Sequence, residues 1–208
     1  METFPTWAPD GKSLYFTRAQ GYQKGMALDS IRYDLCRISF DASTEKMGEP
    51  EIVLQASAQN KSISFPCVSP NGKHLMFTLS DYGNFSIWHP ESDLYILDLS
   101  TGETRDLENV NSNDVDSYHT WSSNGHWFVF SSKRMDGLWA RPYIAAFNPE
   151  TGETGKAFLL PQKDPMFYDN YTYTYNRPEL IKTTVKNGKE FEKIIQQAAI
   201  PSTPKKIR

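Results

Sequence analysis

One phrase, written three times, constrains this chain more than any other feature. It reads Phe4-Pro5-Thr6-Trp7-Ala8-Pro9-Asp10-Gly11-Lys12-Ser13-Leu14-Tyr15-Phe16-Thr17 at its first occurrence. It returns as Phe65-Pro66-Cys67-Val68-Ser69-Pro70-Asn71-Gly72-Lys73-His74-Leu75-Met76-Phe77-Thr78, and again as Tyr118-His119-Thr120-Trp121-Ser122-Ser123-Asn124-Gly125-His126-Trp127-Phe128-Val129-Phe130-Ser131. Gly72 follows Gly11 by 61 residues and Gly125 follows Gly72 by 53. Repeats of that length built from short strands and tight turns stack into a propeller or another repeat array.

The second repeat is the clearest. Ile63, Phe65 and Cys67 alternate with Ser64, Pro66 and Val68, the period of a strand. Pro70-Asn71-Gly72 predicts a tight turn, because Pro presets one backbone angle and Asn-Gly tolerates positive φ. Leu75, Phe77 and Leu79 make a second strand, residues 93–99 a third and Glu103 to Leu107 a short fourth. Four antiparallel strands are one propeller blade. The third repeat follows the same plan through Tyr143–Phe147 and Phe158–Leu160, with Thr151-Gly152-Glu153-Thr154 copying Thr101-Gly102-Glu103-Thr104. In the first, the strands run through Tyr33–Phe40 and Glu51–Leu54, and the extra length lies in a polar loop, Ala19–Ile31.

The expected fold is therefore all-β: a partial β-propeller of three four-stranded antiparallel blades over residues 1–163 (about 3–55, 63–108 and 117–160). A C-terminal arm, 164–208, follows. In it, Tyr175-Asn176-Arg177-Pro178-Glu179-Leu180 echoes the opening phrase, and two readings stay open: the innermost strand of a further blade, or an irregular arm packed on the third. Phe191, Ile194, Ile195 and Ala198 have helical spacing, which predicts a short helix over 190–199.

The 208 residues suffice for one sizeable core, and 11 Tyr and 12 Phe favour strands over helices. A net charge of −3 gives no electrostatic footprint for nucleic acid, and no apolar run is long enough to span a membrane. Glu2, Pro5, Pro9 and Asp10 interrupt any secretory signal core. Because Met1 directly precedes a repeat strand without a cap, missing upstream blades are expected. Cys36 and Cys67 read as free thiols in successive repeats.

The phrase Phe-Pro-x-Trp-x-Pro-Asp-Gly-Lys before an apolar strand resembles the WD-like propeller repeat of the TolB family. That resemblance covers residues 3–160 and extends to Asp34-Leu35 and Asp93-Leu94-Tyr95. Val68 in place of Trp, and Ser123-Asn124 in place of Pro-Asp, depart from it. Asp81-Tyr82-Gly83-Asn84-Phe85-Ser86-Ile87-Trp88-His89, Ser132-Lys133-Arg134-Met135-Asp136-Gly137-Leu138 and Leu160-Pro161-Gln162-Lys163-Asp164-Pro165 look like a subgroup of bacterial cell-envelope propellers. The resemblance implies a periplasmic or envelope location.

No catalytic motif is present: neither a Gly-x-Ser-x-Gly nucleophile elbow nor Ser-x-Asp-x-Gly-x-x-Trp boxes occur, and no cofactor or metal is implied. His74, His89, His119 and His126 are not spaced as metal ligands. His119, on a first strand, is expected either to touch a ligand in the central channel or to hydrogen-bond a neighbouring blade. Asp114 and Asp116 read as a solvated loop.

Two loops stand out as binding candidates. One carries Asp81, Tyr82, Asn84, Trp88 and His89; the other, one blade later, carries Arg134, Asp136, Trp139 and Arg141. Trp and Arg side by side combine apolar area with directional donors. The competing account has the arginines pair with Asp136 or Asp81 and clamp the blades together. The expected function is a non-enzymatic scaffold binding a protein, peptide or glycan partner. The alternatives are the propeller of a hydrolase whose catalytic part lies elsewhere, and self-association in a homo-oligomer.

Overall fold

A computed structural model describes residues 1–184 and 188–197. Three antiparallel sheets follow one another along the chain. In the first, β1 (Glu2–Trp7), β2 (Ser13–Arg18), β3 (Asp34–Asp41) and β5 (Glu51–Leu54) lie in that order, with the two-residue β4 (Lys46–Met47) on the far end of β3. The second is β6 (Ser62–Val68), β7 (His74–Ser80), β8 (Asp93–Asp98) and β9 (Thr104–Asp106). The third is β10 (Asp116–Trp121), β11 (Trp127–Ser132), β12 (Arg141–Ala146) and β13 (Phe158–Leu159). Each expected blade is thus present as a four-strand meander, and the fold is part of a β-propeller.

The blades stack face to face because each sheet is apolar on both sides. Leu75, Phe77 and Leu97 of the second blade pack with Tyr15 and Leu35 of the first. Met76, Leu94 and Ile96, on the other face, pack with Phe128, Phe130 and Tyr143 of the third. A central strand buried on both faces reads as a continuous apolar run, and Leu75-Met76-Phe77 is fully buried. Lys73 pairs with Glu150 and Asn71 Nδ2 donates to the Pro149 carbonyl at 2.7 Å, tying the second blade to the third at the surface.

Each inner strand carries the same irregularity. Register breaks between Thr3 and Thr6, between Ser64 and Cys67, and between Ser117 and Thr120. At these bulges Phe4, Phe65 and Tyr118 take φ of 52°, 52° and 56°. A bulge supplies one extra residue and re-aims its side chain. Here it turns the three rings into a stack, with centroids 4.1 Å apart for Phe4–Phe65 and 4.7 Å for Phe65–Tyr118.

In the tail, α1 (Gly188–Gln196) begins two residues earlier than its apolar spacing predicts, and Ile194 and Ile195 are exposed. Ala198, Ala199 and the basic end 204–208 lie outside the described residues. Cys36 and Cys67 are free thiols. No helix among the described residues is long and apolar enough to cross a membrane.

Candidate functional site

The two candidate loops connect second to third strands in adjacent blades, so stacking the blades sets them on one rim. Three contacts fix the arrangement. The Gly83 amide donates to the Ile31 carbonyl at 2.9 Å, anchoring the first loop to the first blade, while Ser62 Oγ of the loop's own blade donates to the Gly83 carbonyl at 2.5 Å. Ser86 Oγ lies 2.5 Å from Ser117 Oγ, anchoring it to the third. Lys133 Nζ then sits 4.3 Å from the centre of the Trp88 ring, across the blade boundary.

Trp88 itself is 77% exposed. The 3-10 turn Ser86–Trp88 buries Ser86 and swings the indole outward. On the same loop Phe85 is 63% exposed, and on the second loop Leu138 is 69% exposed. Trp139 and Met135 are partly exposed on the same loop as Leu138. Leu28, exposed on the first blade, reaches toward Gly83. Sequence reading missed Phe85, Leu138 and Leu28 as rim residues, because an apolar residue in a loop is outwardly indistinguishable from one plugging the core. Only the buried Ser86 beside Phe85 hints at which way the turn faces.

The charged candidates are placed differently from expectation. Arg134 is not held by Asp136. Its Nη2 donates to Asp116 Oδ1 at 2.5 Å and to the Val110 carbonyl at 2.7 Å, and its guanidinium lies 4.5 Å from the Tyr143 ring centre. Nor is Asp116 in a solvated loop: it is fully buried at the start of β10 and also accepts from the Ser112 amide at 2.7 Å. Burial pushes its carboxyl above the usual range, and the Arg134 charge works against that shift. Asp81 pairs with Lys61 at 2.6 Å, not with Arg134 or Arg141. The Arg134 and Asp116 corrections share one cause. A buried carboxylate is stable only with a partner, and Asp116 captures the arginine that sequence proximity gives to Asp136.

Arg141 is buried in β12, 3.5 Å from Asp136, and donates to the carbonyls of Tyr168 and Tyr173 at 3.2 Å each. Asp136 accepts the amides of Leu138 and Trp139 at 2.8 and 2.9 Å, closing the loop. Tyr82 packs edge-on against His89 at 4.4 Å, and His89 Nδ1 lies 2.8 Å from Glu91 Oε1. Asn84 is half-buried.

His119 is buried between blades, its Nε2 donating to the Met76 carbonyl at 3.1 Å. Burial drives its pKa down to about 3, more than the Met76 carbonyl restores. It is neutral at physiological pH and acts here as a blade-to-blade clamp. Among the described residues, no group of three or more His, Cys, Asp or Glu is gathered as a metal site.

No family model matches the chain, and no curated protein does. Solved structures similar to it include TolB from Acinetobacter baumannii, 20% identical over 73% of this chain and 31% of that one, with a TM-score of 0.45. The β-propeller domain of the Trilobed protease from Pyrococcus furiosus is 15% identical over 78% of this chain and 43% of that one, at 0.41. The Dos1 propeller is 14% identical over 77% of this chain and 37% of that one, at 0.49. The chain spans less than half of each. The propeller assignment rests on the three stacked four-strand sheets themselves.

Proposed function

We propose that the protein is a non-enzymatic propeller scaffold that binds a protein, peptide or glycan partner on the rim shared by its second and third blades. The envelope location belongs to the same proposal and rests on the resemblance of the loop sequences. The observation that carries the reading is Trp88: a 77% exposed indole with the Lys133 ammonium over its ring, on a pair of loops that also expose Phe85 and Leu138. Large exposed side chains that rigid elements hold in place cost little ordering entropy on binding, which makes them efficient anchors. Arg134, held by Asp116, Ser132 and the Val110 carbonyl, belongs to the framework.

The test separates anchor from framework. Trp88→Ala and Phe85→Ala are expected to shift stability by less than about 1 kcal/mol, the worth of an exposed cation–π contact, while abolishing capture of partners from an envelope extract. Arg134→Ala leaves Asp116 buried and unpaired and is expected to cost about 3–5 kcal/mol. An unchanged set of captured partners with Trp88→Ala and Phe85→Ala overturns the reading.

A further inference from the structure

The segment after the third blade repeats the inner-strand phrase in register with the blades themselves. Thr174-Tyr175-Asn176-Arg177-Pro178-Glu179-Leu180 stands where Ser62-Ile63-Ser64-Phe65-Pro66-Cys67-Val68 stands in the second blade and Val115-Asp116-Ser117-Tyr118-His119-Thr120-Trp121 in the third. Hydrogen bonds, not sequence similarity, set this alignment. The residue just before each third strand accepts an amide from the second position of the next phrase. Ile63 donates to the Tyr33 carbonyl at 2.9 Å, Asp116 to Ser92 at 2.8 Å and Tyr175 to Ala140 at 2.9 Å. The amide of that same residue donates to a hydroxyl at the first position: Tyr33 to Ser62 Oγ and Ala140 to Thr174 Oγ1, both at 3.0 Å. On the second strands, Thr78 Oγ1 meets Ser117 Oγ at 3.4 Å, and its counterpart Ser131 Oγ donates to the Asn176 carbonyl.

In every blade the inner strand pairs along its other edge with a second strand. Among the described residues, the tail segment has no such neighbour. Pro178 falls at the bulge position that Pro5 and Pro66 hold, where the ladder is already interrupted and a missing amide costs nothing. Beyond the tail, the outward face of the third blade keeps an apolar cleft of about 380 Å³ lined by Trp127, Ile144, Phe158, Leu180 and Ile181. Ile144 pairs with Val129 as Ile96 pairs with Met76, and Ile96 is buried by the following blade. This face therefore continues the established blade-to-blade interface.

We infer that residues 174–180 are the innermost strand of a fourth blade, whose free edge takes a three-stranded antiparallel sheet of the same repeat that lacks an inner strand of its own. This goes beyond the rim reading and is independent of it. The incoming second strand adds a backbone ladder to 174–180 and lays a Leu/Phe face, like that of Leu75 and Phe77, onto Val129 and Ile144. A second copy of this chain is not the occupant, because its first blade arrives with β1 already paired to β2 from Glu2↔Arg18 to Trp7↔Leu14.

The probe is a synthetic peptide of residues 72–82, the strand that pairs with β6. With the full chain, the expected result is saturable binding, slowed amide exchange within 176–180, and chemical-shift changes at Trp127 and Ile144. A scrambled peptide is expected to do none of this. Tyr175→Pro, which deletes the amide docked on Ala140, is expected to abolish binding while the Phe77 and Phe130 amides still exchange slowly. If that variant loses its blades, the wild-type exchange map alone decides. Absent or unsaturable binding, binding that leaves 174–180 unprotected, or protection of 174–180 by dimerisation without peptide each overturns the inference.

Discussion

Phe65 illustrates what single residues do here. It holds φ of 52° in the middle of a strand, a region that costs a non-glycine residue about 1–2 kcal/mol. Its ring contacts those of both neighbouring blades, and stacking of this kind returns a comparable amount. Two substitutions separate the opposing terms. Phe65→Ala loses the stack and keeps the strain, whereas Phe65→Gly loses the stack and the strain together. Phe65→Gly is therefore expected to melt higher than Phe65→Ala, by about 1 kcal/mol. Equal stabilities would mean that the bulge carries no strain.

Asp93 is the second residue with a measurable consequence. Burial, reinforced by the charges of Asp116 and Asp106, raises its pKa from 3.8 to about 6. The folded state thus binds this proton more tightly than the unfolded state. The carboxylate's destabilising effect is fully present above pH 6 and fades as pH falls toward about 4. Asp93→Asn is expected to raise the melting temperature at neutral pH, with the two proteins converging near pH 4. A gap that persists at acid pH would show that packing, not ionisation, separates them.

At the level of the element, the repeated turn is the best-determined part of the fold. Gly72 has φ of 73° with nothing within 4 Å of an added Cβ. Gly72→Val is therefore expected to cost about 1–3 kcal/mol from backbone strain alone, read by thermal melting. Gly152 has the same φ, but a Cβ there would come within 2.8 Å of His74 Nε2 and 2.9 Å of Arg105 Nη2. Gly152→Val is expected to cost more than Gly72→Val, and the reverse order would contradict this geometry. The boundaries of the expected strands followed from alternation to within two residues, although the short β4 was not foreseen. Strand irregularities did not, because nothing in Phe65-Pro66 announces that the extra bulge residue must turn its ring across two blades.

For the whole molecule, the two ends of the stack differ. The tail covers part of the third blade, but the first blade leaves Leu14, Phe16 and Ile38 around an apolar cleft of about 240 Å³. Their counterparts Leu75, Phe77 and Leu97 are buried between blades. Apolar area of this kind drives association at roughly 25 cal/mol per Å². The protein is expected to associate with rising concentration, and Leu14→Glu is expected to weaken that association. Light scattering that finds a monomer at all concentrations, with or without the substitution, would contradict it.

Periodicity, turn chemistry and the triple phrase determined the strands, their order and the blade plan, because those depend on contacts between residues close in the chain. The rim's existence was legible too, since equivalent loops in stacked repeats must fall side by side. What each rim residue does was decided only in three dimensions. Arg134 stands two residues from Asp136 in sequence yet pairs with Asp116, because a charge fully withdrawn from water outbids one that remains partly solvated. Trp88 and Phe85 face outward because Ser86, between them, is pinned to Ser117 of the next blade. The tail's echo of the opening phrase was legible in the sequence, but its place beside Ala140 and Thr120 was decided only by the stacked blades. The phrase marks the segment as an inner strand without saying which blade it joins, and only the stacked sheets supply the carbonyls and hydroxyls that fix its register.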